Sequence, residues 1–227
     1  MDSNSLQTAE GLGVLHLFCK IQNKIDEQKI TEIVAGALAS SMQVVTVSIL
    51  GHKADVAFMV LGEDWVQLRK FQTSLVSAGL DVVDSYVSLT EISEYAQGVP
   101  EEMRNARLYP ELPPDDKKAW CFYPMSKRRN PAQNWFTLPF EKRKELMYEH
   151  GASGRKFSGR VLQVITGSTG VDDYEWGVTL FCVHPDDLKD VVYTMRFDEA
   201  SAEYAEFGPF YSGYVISIEE LLLERSN

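Results

Sequence analysis

The order of secondary-structure patterns in the first part of the chain constrains the fold most. Alternating or continuous apolar residues predict strands at 12–21, 43–50, 54–61 and 81–92. Apolar residues at helical spacing predict helices at 26–41 and 63–78. The resulting order is strand, helix, strand, strand, helix, strand, which is the pattern of a ferredoxin-like (βαββαβ) unit. Residues 1–95 are therefore predicted to form one α+β unit of this kind.

A similar order recurs in the rest of the chain, which predicts a second ferredoxin-like half at residues 119–227. Its strands are predicted at 119–124, 160–166, 176–183 and 210–216, and its helices at 140–150 and 185–195. Residues 96–118 separate the halves and contain four of the nine prolines, together with several charges. That composition predicts a connecting linker with little regular structure of its own.

Charge and cysteine content exclude several classes of protein. The chain has 33 acidic and 22 basic side chains and a net charge of -11, which argues against a general surface for nucleic acid or anionic membrane. Its three cysteines are far apart and odd in number, so no disulfide framework is expected.

The sequence shows neither a signal peptide nor an apolar run of roughly 18 residues. We expect a cytoplasmic protein without a membrane span.

Residues 120–129, WCFYPMSKRR, place a tyrosine beside a basic cluster. Strand alternation puts Cys121, Tyr123 and Met125 on one face. Pro124 has no backbone N–H, so we predict that this strand ends there or lies at a sheet edge. From the motif alone, a core tyrosine followed by a solvated basic turn is the commoner arrangement, and a pocket wall is the alternative.

One histidine lies in the setting that a ligand to a flat cofactor requires. Phe140, Met147 and His150 share one face of a helix, and Gly151 and Gly154 are expected to end that helix. His150 would then stand at a helix end beside small residues that permit close approach of a flat molecule. A hydrogen-bonded core histidine is the commoner explanation for such a residue.

Four further segments are ambiguous from their residues alone. Gln163 points inward on a strand and needs polar partners, which hints at a pocket. Residues 172–175 are acidic, but adjacent carboxylates favour a turn over a metal site. Residues 104–109 interleave arginines with apolar residues, and a solvated charged turn is their commoner form. Residues 195–208 are expected to form a helix end and a loop that face the same cavity.

Several segments resemble the coproheme decarboxylases, which are chlorite-dismutase-like haem proteins. The resemblance spans nearly the whole chain and is carried by SILG at 48–51, ARLYP at 106–110, CFYPMSK at 121–127, NW at 134–135, HG at 150–151, DDYEWGVTLF at 172–181 and MRFDEAS at 195–201. It implies a dimeric α+β barrel made of the two ferredoxin-like halves, assembled as a homopentamer. It also implies the oxidative decarboxylation of two propionates of iron-coproporphyrin III (coproheme) by hydrogen peroxide, with haem b as product.

The resemblance also implies a role for individual residues. His150 would be the axial ligand of the porphyrin iron, and Tyr123 would be the catalytic, redox-active side chain. The residues that would bind coproheme are Arg107, Tyr123, Pro124, Met125, Ser126, Lys127, Gln163 and Ser201. Glu199 is a candidate partner for the second ring nitrogen of His150. Asn105 departs from the resemblance, which leads us to expect a basic residue there.

Two alternative functions belong to the same fold. A chlorite dismutase is associated with an arginine at the position of Gln163, so the glutamine and the Tyr123 motif favour decarboxylation. A haem carrier or sensor would bind the porphyrin without turnover, and a tyrosine near a propionate has no purpose in such a protein. The resemblance leaves a transient contact with a ferrochelatase open.

Overall fold

The computed structural model describes residues 5–96 and 98–225. The first four residues of the predicted first half, residue 97 of the predicted linker, and residues 226 and 227 of the predicted second half lie outside the described residues. The strands are β1 Gly13–Ile21, β2 Gln43–Ile49, β3 Val56–Gly62, β4 Leu80–Thr90, β5 Ala119–Lys127, β6 Arg129–Asn130, β7 Gln133–Asn134, β8 Val161–Gly167, β9 Trp176–Cys182, β10 Ala205–Phe207 and β11 Tyr211–Val215. The helices are α1 Glu27–Ala39, α2 Trp65–Ser77, α3 Glu101–Leu108, α4 Phe140–Arg155, α5 Pro185–Met195, α6 Glu199–Ala202 and α7 Ile218–Arg225, with a 3-10 turn at Trp135–Thr137.

Eight strands close into one antiparallel barrel. The first half has the strand order β2-β3-β1-β4, and the second half repeats it as β8-β9-β5-β11. Pairing of β4 with β8 and of β11 with β2 joins the halves, and pairing of β5 with β9 leaves the ring without a gap. The predicted α+β class with two ferredoxin-like halves is confirmed. The exact division at residues 95 and 119 stays a prediction.

The barrel separates an interior core from two outer faces. Large side chains from both halves fill the interior, among them Phe18, Met59, Trp120, Phe122 and Phe181. Outside, α1, α2 and α7 cover the sheet of the first half, whereas α5 packs on the sheet of the second half. Because side chains alternate along a strand, β5 directs Trp120 and Phe122 inward and Tyr123 outward, as the sequence predicted.

The connecting segment contains a helix, α3, which corrects the prediction of little regular structure. Pro100 precedes this helix, and Glu101 and Glu102 occupy its first turn, where negative charge is favourable. Its last residue, Leu108, is buried, and the Thr90 hydroxyl donates a hydrogen bond of 2.8 Å to the Leu108 carbonyl. The segment is therefore anchored on the end of β4 through contacts that are distant in sequence.

Helix α4 continues through both glycines that were predicted to end it. Gly151 and Gly154 stay helical, and the helix ends at Arg155. A Cβ at Gly154 would lie 3.5 Å from Nε2 of Gln163, which is an ordinary contact, so the space around this position does not require a glycine. His150 consequently lies within the helix instead of at its end.

The prediction that β5 ends at Pro124 or lies at a sheet edge is wrong. The strand continues to Lys127 and pairs with β9 through Pro124. The Pro124 carbonyl accepts a 2.8 Å hydrogen bond from Gly208 N, so the proline nitrogen faces the same side of the strand. On this side of β5, Pro124 lies between the residues that pair with β11 and those that pair with β10. Its missing N–H group therefore leaves no inter-strand hydrogen bond unformed.

A buried histidine connects the two halves inside the barrel. His16 on β1 lies 3.0 Å from the Thr179 hydroxyl on β9 through its Nε2 atom, and its ring packs 4.2 Å from that of Phe122. Burial lowers the pKa of His16 to about 3, so its imidazole stays neutral at physiological pH. His16 is therefore protonated much less readily in the folded protein than in the unfolded chain.

We predict that His16 makes the fold sensitive to acid. Its pKa is depressed on folding, so its contribution to stability is present above about pH 6.5 and is lost as the pH falls. Between about pH 6 and pH 4 this group alone should remove about 2 to 3 kcal/mol from the free energy of unfolding. Urea unfolding over this range should show a steeper loss for the wild type than for His16→Phe. Parallel pH profiles of the two proteins would contradict the assignment.

Candidate functional site

The outer face of the second half presents a regular array of side chains beneath α4 and α5. Strand register aligns it in three rows, which are Gln163, Leu180 and Cys121, then Ile165, Val178 and Tyr123, then Gly167, Trp176 and Met125. Tyr123 and Gln163 are two strands and one row apart, so strand spacing puts their Cα atoms roughly 12 Å from each other. Both residues thus border one flat surface.

Tyr123 is buried on this surface, yet its hydroxyl is free. Its ring stacks on Phe210 with centroids 4.5 Å apart and packs at 5.6 Å against Phe207. No described residue hydrogen-bonds the Tyr123 hydroxyl. Burial raises the pKa of Tyr123, which keeps the phenol protonated. The phenolic hydrogen of Tyr123 is therefore not engaged in a hydrogen bond with any described residue.

His150 is fixed through one ring nitrogen. Its Nδ1 atom lies 3.2 Å from Oδ2 of the buried Asp198, whose other oxygen accepts a 2.6 Å hydrogen bond from Ser153. The Ser201 hydroxyl lies 3.4 Å from the same Nδ1. No described residue hydrogen-bonds Nε2. An imidazole oriented in this way through Nδ1 can offer Nε2 to a metal.

Asp198, and not Glu199, is the acidic partner of His150. The Glu199 carboxylate lies 3.6 Å from Lys142 instead. Sequence reasoning placed Asp198 only in a loop near the cavity. Its local pattern is that of a helix N-cap before α6, but its side chain makes no capping hydrogen bond. Its actual partners are 45 and 48 residues away, so no local signal in the sequence could have identified them.

Lys127 brings a buried positive charge close to His150. Its Nζ atom donates a 2.5 Å hydrogen bond to the Ala200 carbonyl and lies 4.4 Å above the ring of Trp135. Burial lowers the pKa of Lys127 to about 8, and nearby Glu175 opposes this shift. The ammonium group is thus partly desolvated and lacks a carboxylate within ion-pair distance among the described residues.

The surroundings favour the neutral form of His150. Burial is the largest cause that lowers the pKa of His150, the charge of Lys127 lowers it further, and Asp198 acts in the opposite direction. A metal ligand must be neutral imidazole, so the electrostatic balance suits that role.

The other candidate residues fall into two groups. Gln163 is half-buried on the array, with its Nε2 atom 3.7 Å from the Met195 sulfur. Pro124, Met125 and Ser126 follow Tyr123 along β5. Arg107 stands apart, because it is exposed on the last turn of α3 and makes no ion pair or hydrogen bond with described residues. The strand residues Lys127 and Gln163 therefore lie beside α6 and α4, respectively, whereas Arg107 makes no hydrogen bond or ion pair with them.

The described residues could not hold a bare metal ion. They contain no group of three or more histidine, cysteine, aspartate or glutamate side chains arranged for one. A metal would have to bring most of its own ligands, as the iron of a porphyrin does, and a single histidine then suffices. A sheet face lined mainly by apolar side chains, one oriented imidazole and an ammonium group without a carboxylate partner among the described residues fit an iron porphyrin that carries carboxylates. Within residues 5–96 and 98–225, no helix is long and apolar enough to span a membrane.

Comparison with known proteins places the chain in a family. The family model described as chlorite dismutase matches residues 23–216. The chain belongs to the chlorite dismutase family. A coproheme decarboxylase from Staphylococcus carnosus is 46% identical over 184 residues, which cover 77% of this chain and 73% of that protein.

Two further relatives are named for heme binding. One, from Natronomonas pharaonis, is 47% identical over 190 residues, and the match covers 77% of this chain but 31% of that longer protein. The other is a solved structure described as a heme-binding protein from Thermus thermophilus, with a TM-score of 0.83, 33% identity and coverage of 98% of both chains. The barrel is therefore shared over its full length.

We predict opposite effects of two substitutions on the pKa of His150. Lys127→Met removes a neighbouring positive charge and should raise this pKa, whereas Asp198→Asn removes a negative charge and should lower it. NMR titration of labelled imidazole in the protein without porphyrin measures both shifts, with the His150 signal assigned from its loss in His150→Gln. The absence of both shifts would show that burial alone controls the pKa of His150, and shifts in the same direction would contradict the assigned charge effects.

Proposed function

We propose that this protein decarboxylates two propionates of coproheme with hydrogen peroxide and releases haem b. The observation that carries the proposal is a buried, protonated Tyr123, without a hydrogen-bond partner among the described residues, on the strand array whose Gln163 lies beside Gly154 of the His150 helix. The identity of 46% to a coproheme decarboxylase supports it. Coproheme would be at once the substrate and the cofactor, because its own iron supplies the oxidising chemistry.

His150 would bind the iron through Nε2, while Asp198 and Ser201 hold its Nδ1 side. Coproheme has four carboxylates, and charge-assisted hydrogen bonds from Lys127 and Arg107 would fix them in an otherwise acidic protein. A bound carboxylate would also stabilise the charged form of Lys127, whose pKa burial holds at about 8. Met125, Ser126, Gln163 and Ser201 would complete the contacts.

The chemistry at each propionate fixes what the tyrosine must do. Loss of carbon dioxide with formation of a vinyl group removes two electrons and one proton from the propionate. One hydrogen peroxide takes up both electrons and two protons and becomes two molecules of water. Bound iron porphyrin supplies the oxidising power. Tyr123 would lose its phenolic hydrogen to that oxidant and then take a hydrogen atom from the propionate. The resulting carbon radical would give the second electron to the same oxidant as its C–C bond to the carboxylate breaks, which releases carbon dioxide and forms the vinyl group.

Chlorite chemistry is the nearest alternative on this fold. Gln163 carries no charge, whereas an arginine at this position is associated with chlorite dismutation. A free tyrosine hydroxyl has no evident use in that reaction or in a haem carrier. We further propose a cytoplasmic homopentamer that contacts a ferrochelatase transiently, on the basis of the family resemblance.

We predict that coproheme and hydrogen peroxide give haem b through an intermediate with three propionates. Tyr123→Phe should bind coproheme but convert it about 100-fold more slowly or not at all, because the phenolic hydrogen is gone. Mass spectrometry during a peroxide titration measures all three porphyrins. Unchanged coproheme with the wild type, or oxygen release from chlorite, would contradict the proposed function, and normal turnover by Tyr123→Phe would remove the tyrosine from it.

We also predict that His150→Ala changes the absorption spectrum of bound coproheme and weakens its retention during gel filtration, because the iron loses its protein ligand. His52→Ala is a matched control, since His52 is exposed in the loop between β2 and β3. An unchanged spectrum in His150→Ala would assign the iron to another ligand.

A further inference from the structure

The ring of Tyr123 is covered by a short segment that follows β10. Phe207 ends β10, and Phe210 lies just before β11, with both rings against Tyr123. Gly208 between them donates a 2.8 Å hydrogen bond to the Pro124 carbonyl. A Cβ at Gly208 would lie 2.7 Å from both Pro124 and Tyr174, so only glycine lets the segment approach β5 this closely.

The first half of the chain holds this segment in place. Lys53, in the loop between β2 and β3, donates a 2.6 Å hydrogen bond from Nζ to the Phe210 carbonyl. The next residue, Tyr211, donates to Asp84 of β4 at 2.5 Å and stacks on Phe18 of β1 with centroids 3.7 Å apart. Phe210 therefore sits between a tether to the first half and a ring of the second half.

We propose that Phe210, tethered by Lys53, is a positioning residue that aims the Tyr123 hydroxyl at the reacting propionate; the inference rests on the proposed function of Tyr123. The hydroxyl has no hydrogen-bond partner among the described residues, so ring packing alone controls its direction. The stack at 4.5 Å with 23° between the planes restricts rotation about the Cβ bonds. A misplacement of about 1 Å costs roughly 100-fold in rate when two groups must meet.

Ordinary core packing explains the same contacts without a role in the reaction, but the two explanations differ in what a smaller side chain does. The tyrosine ring gains freedom in both cases. If the contact is packing alone, the smaller side chain lowers stability and leaves the catalytic rate per folded molecule unchanged. If it is positioning, the rate at saturating coproheme falls while coproheme binding persists. Removal of the tether alone should produce a smaller change of the same kind, because Phe210 keeps its ring.

The test compares Phe210→Leu, Phe210→Tyr and Lys53→Met with the wild type. We expect Phe210→Leu to lower kcat about 10- to 100-fold with KM for coproheme within about twofold, and Phe210→Tyr to restore the rate because it keeps the ring. Lys53→Met should fall between them. Phe71→Leu controls for stability, since Phe71 is buried in the first-half core, more deeply than the partly buried Phe210, and is not among the rings that contact Tyr123.

A second measurement does not depend on turnover. NMR of ring-labelled tyrosine, with the Tyr123 signal assigned from Tyr123→Phe, should show faster ring flipping in Phe210→Leu and Lys53→Met than in Phe71→Leu. Unchanged ring dynamics and kcat in Phe210→Leu would overturn the inference, as would a loss that Phe71→Leu reproduces. If the wild type leaves coproheme unconverted, the proposed function fails, and the ring-flip comparison still decides whether Phe210 and Lys53 hold the tyrosine.

Discussion

The pairing of β5 with β9 is the constraint on which the rest of the structure depends. These strands pair over seven residue positions at the centre of the second sheet, which the pairings of β4 with β8 and of β11 with β2 join to the first sheet in a closed barrel. Closure gives β5 two unlike environments, since its inner residues fill the barrel and its outer residues face α5. Tyr123 thus stands on a wall supported from behind by Trp120 and Phe122, which leaves little freedom for the backbone that carries it.

Electrostatics at the candidate site depend on burial more than on the overall charge of the chain. The protein is acidic, but Lys127 lies buried between a carbonyl and an aromatic ring and has no carboxylate within ion-pair distance among the described residues. The same charge helps to keep His150 neutral. Two groups that disfavour each other's protonation are therefore close enough to interact, and we propose that one would bind a metal and the other an anion.

Hydrophobic periodicity predicted the barrel strands and helices α1, α2, α4 and α5, because these elements carry apolar residues at regular spacing, whereas α7, which also packs on a sheet, was not predicted. Tyr123 was assigned to the correct face for the same reason. Elements set by distant contacts were missed. The end of helix α3 is held by the hydrogen bond between Leu108 and Thr90. Beyond Gly151, helix α4 is held by the hydrogen bond from Ser153 to Asp198. Strand β5 continues past Pro124 because the side of the proline that lacks an N–H lies between the pairings with β11 and β10. The roles of Tyr123, His150 and the binding residues came from resemblance and stay predictions.

The two halves have the same strand order but differ in what covers them. Helix α7 follows the last strand of the second half and packs Ile218, Leu221 and Leu222 onto the outer core of the first half, beside α1. Helix α7 thus occupies the face whose counterpart in the second half carries the candidate site. A duplicated architecture would become functionally one-sided in this way, because a segment of the protein itself covers one of two related surfaces.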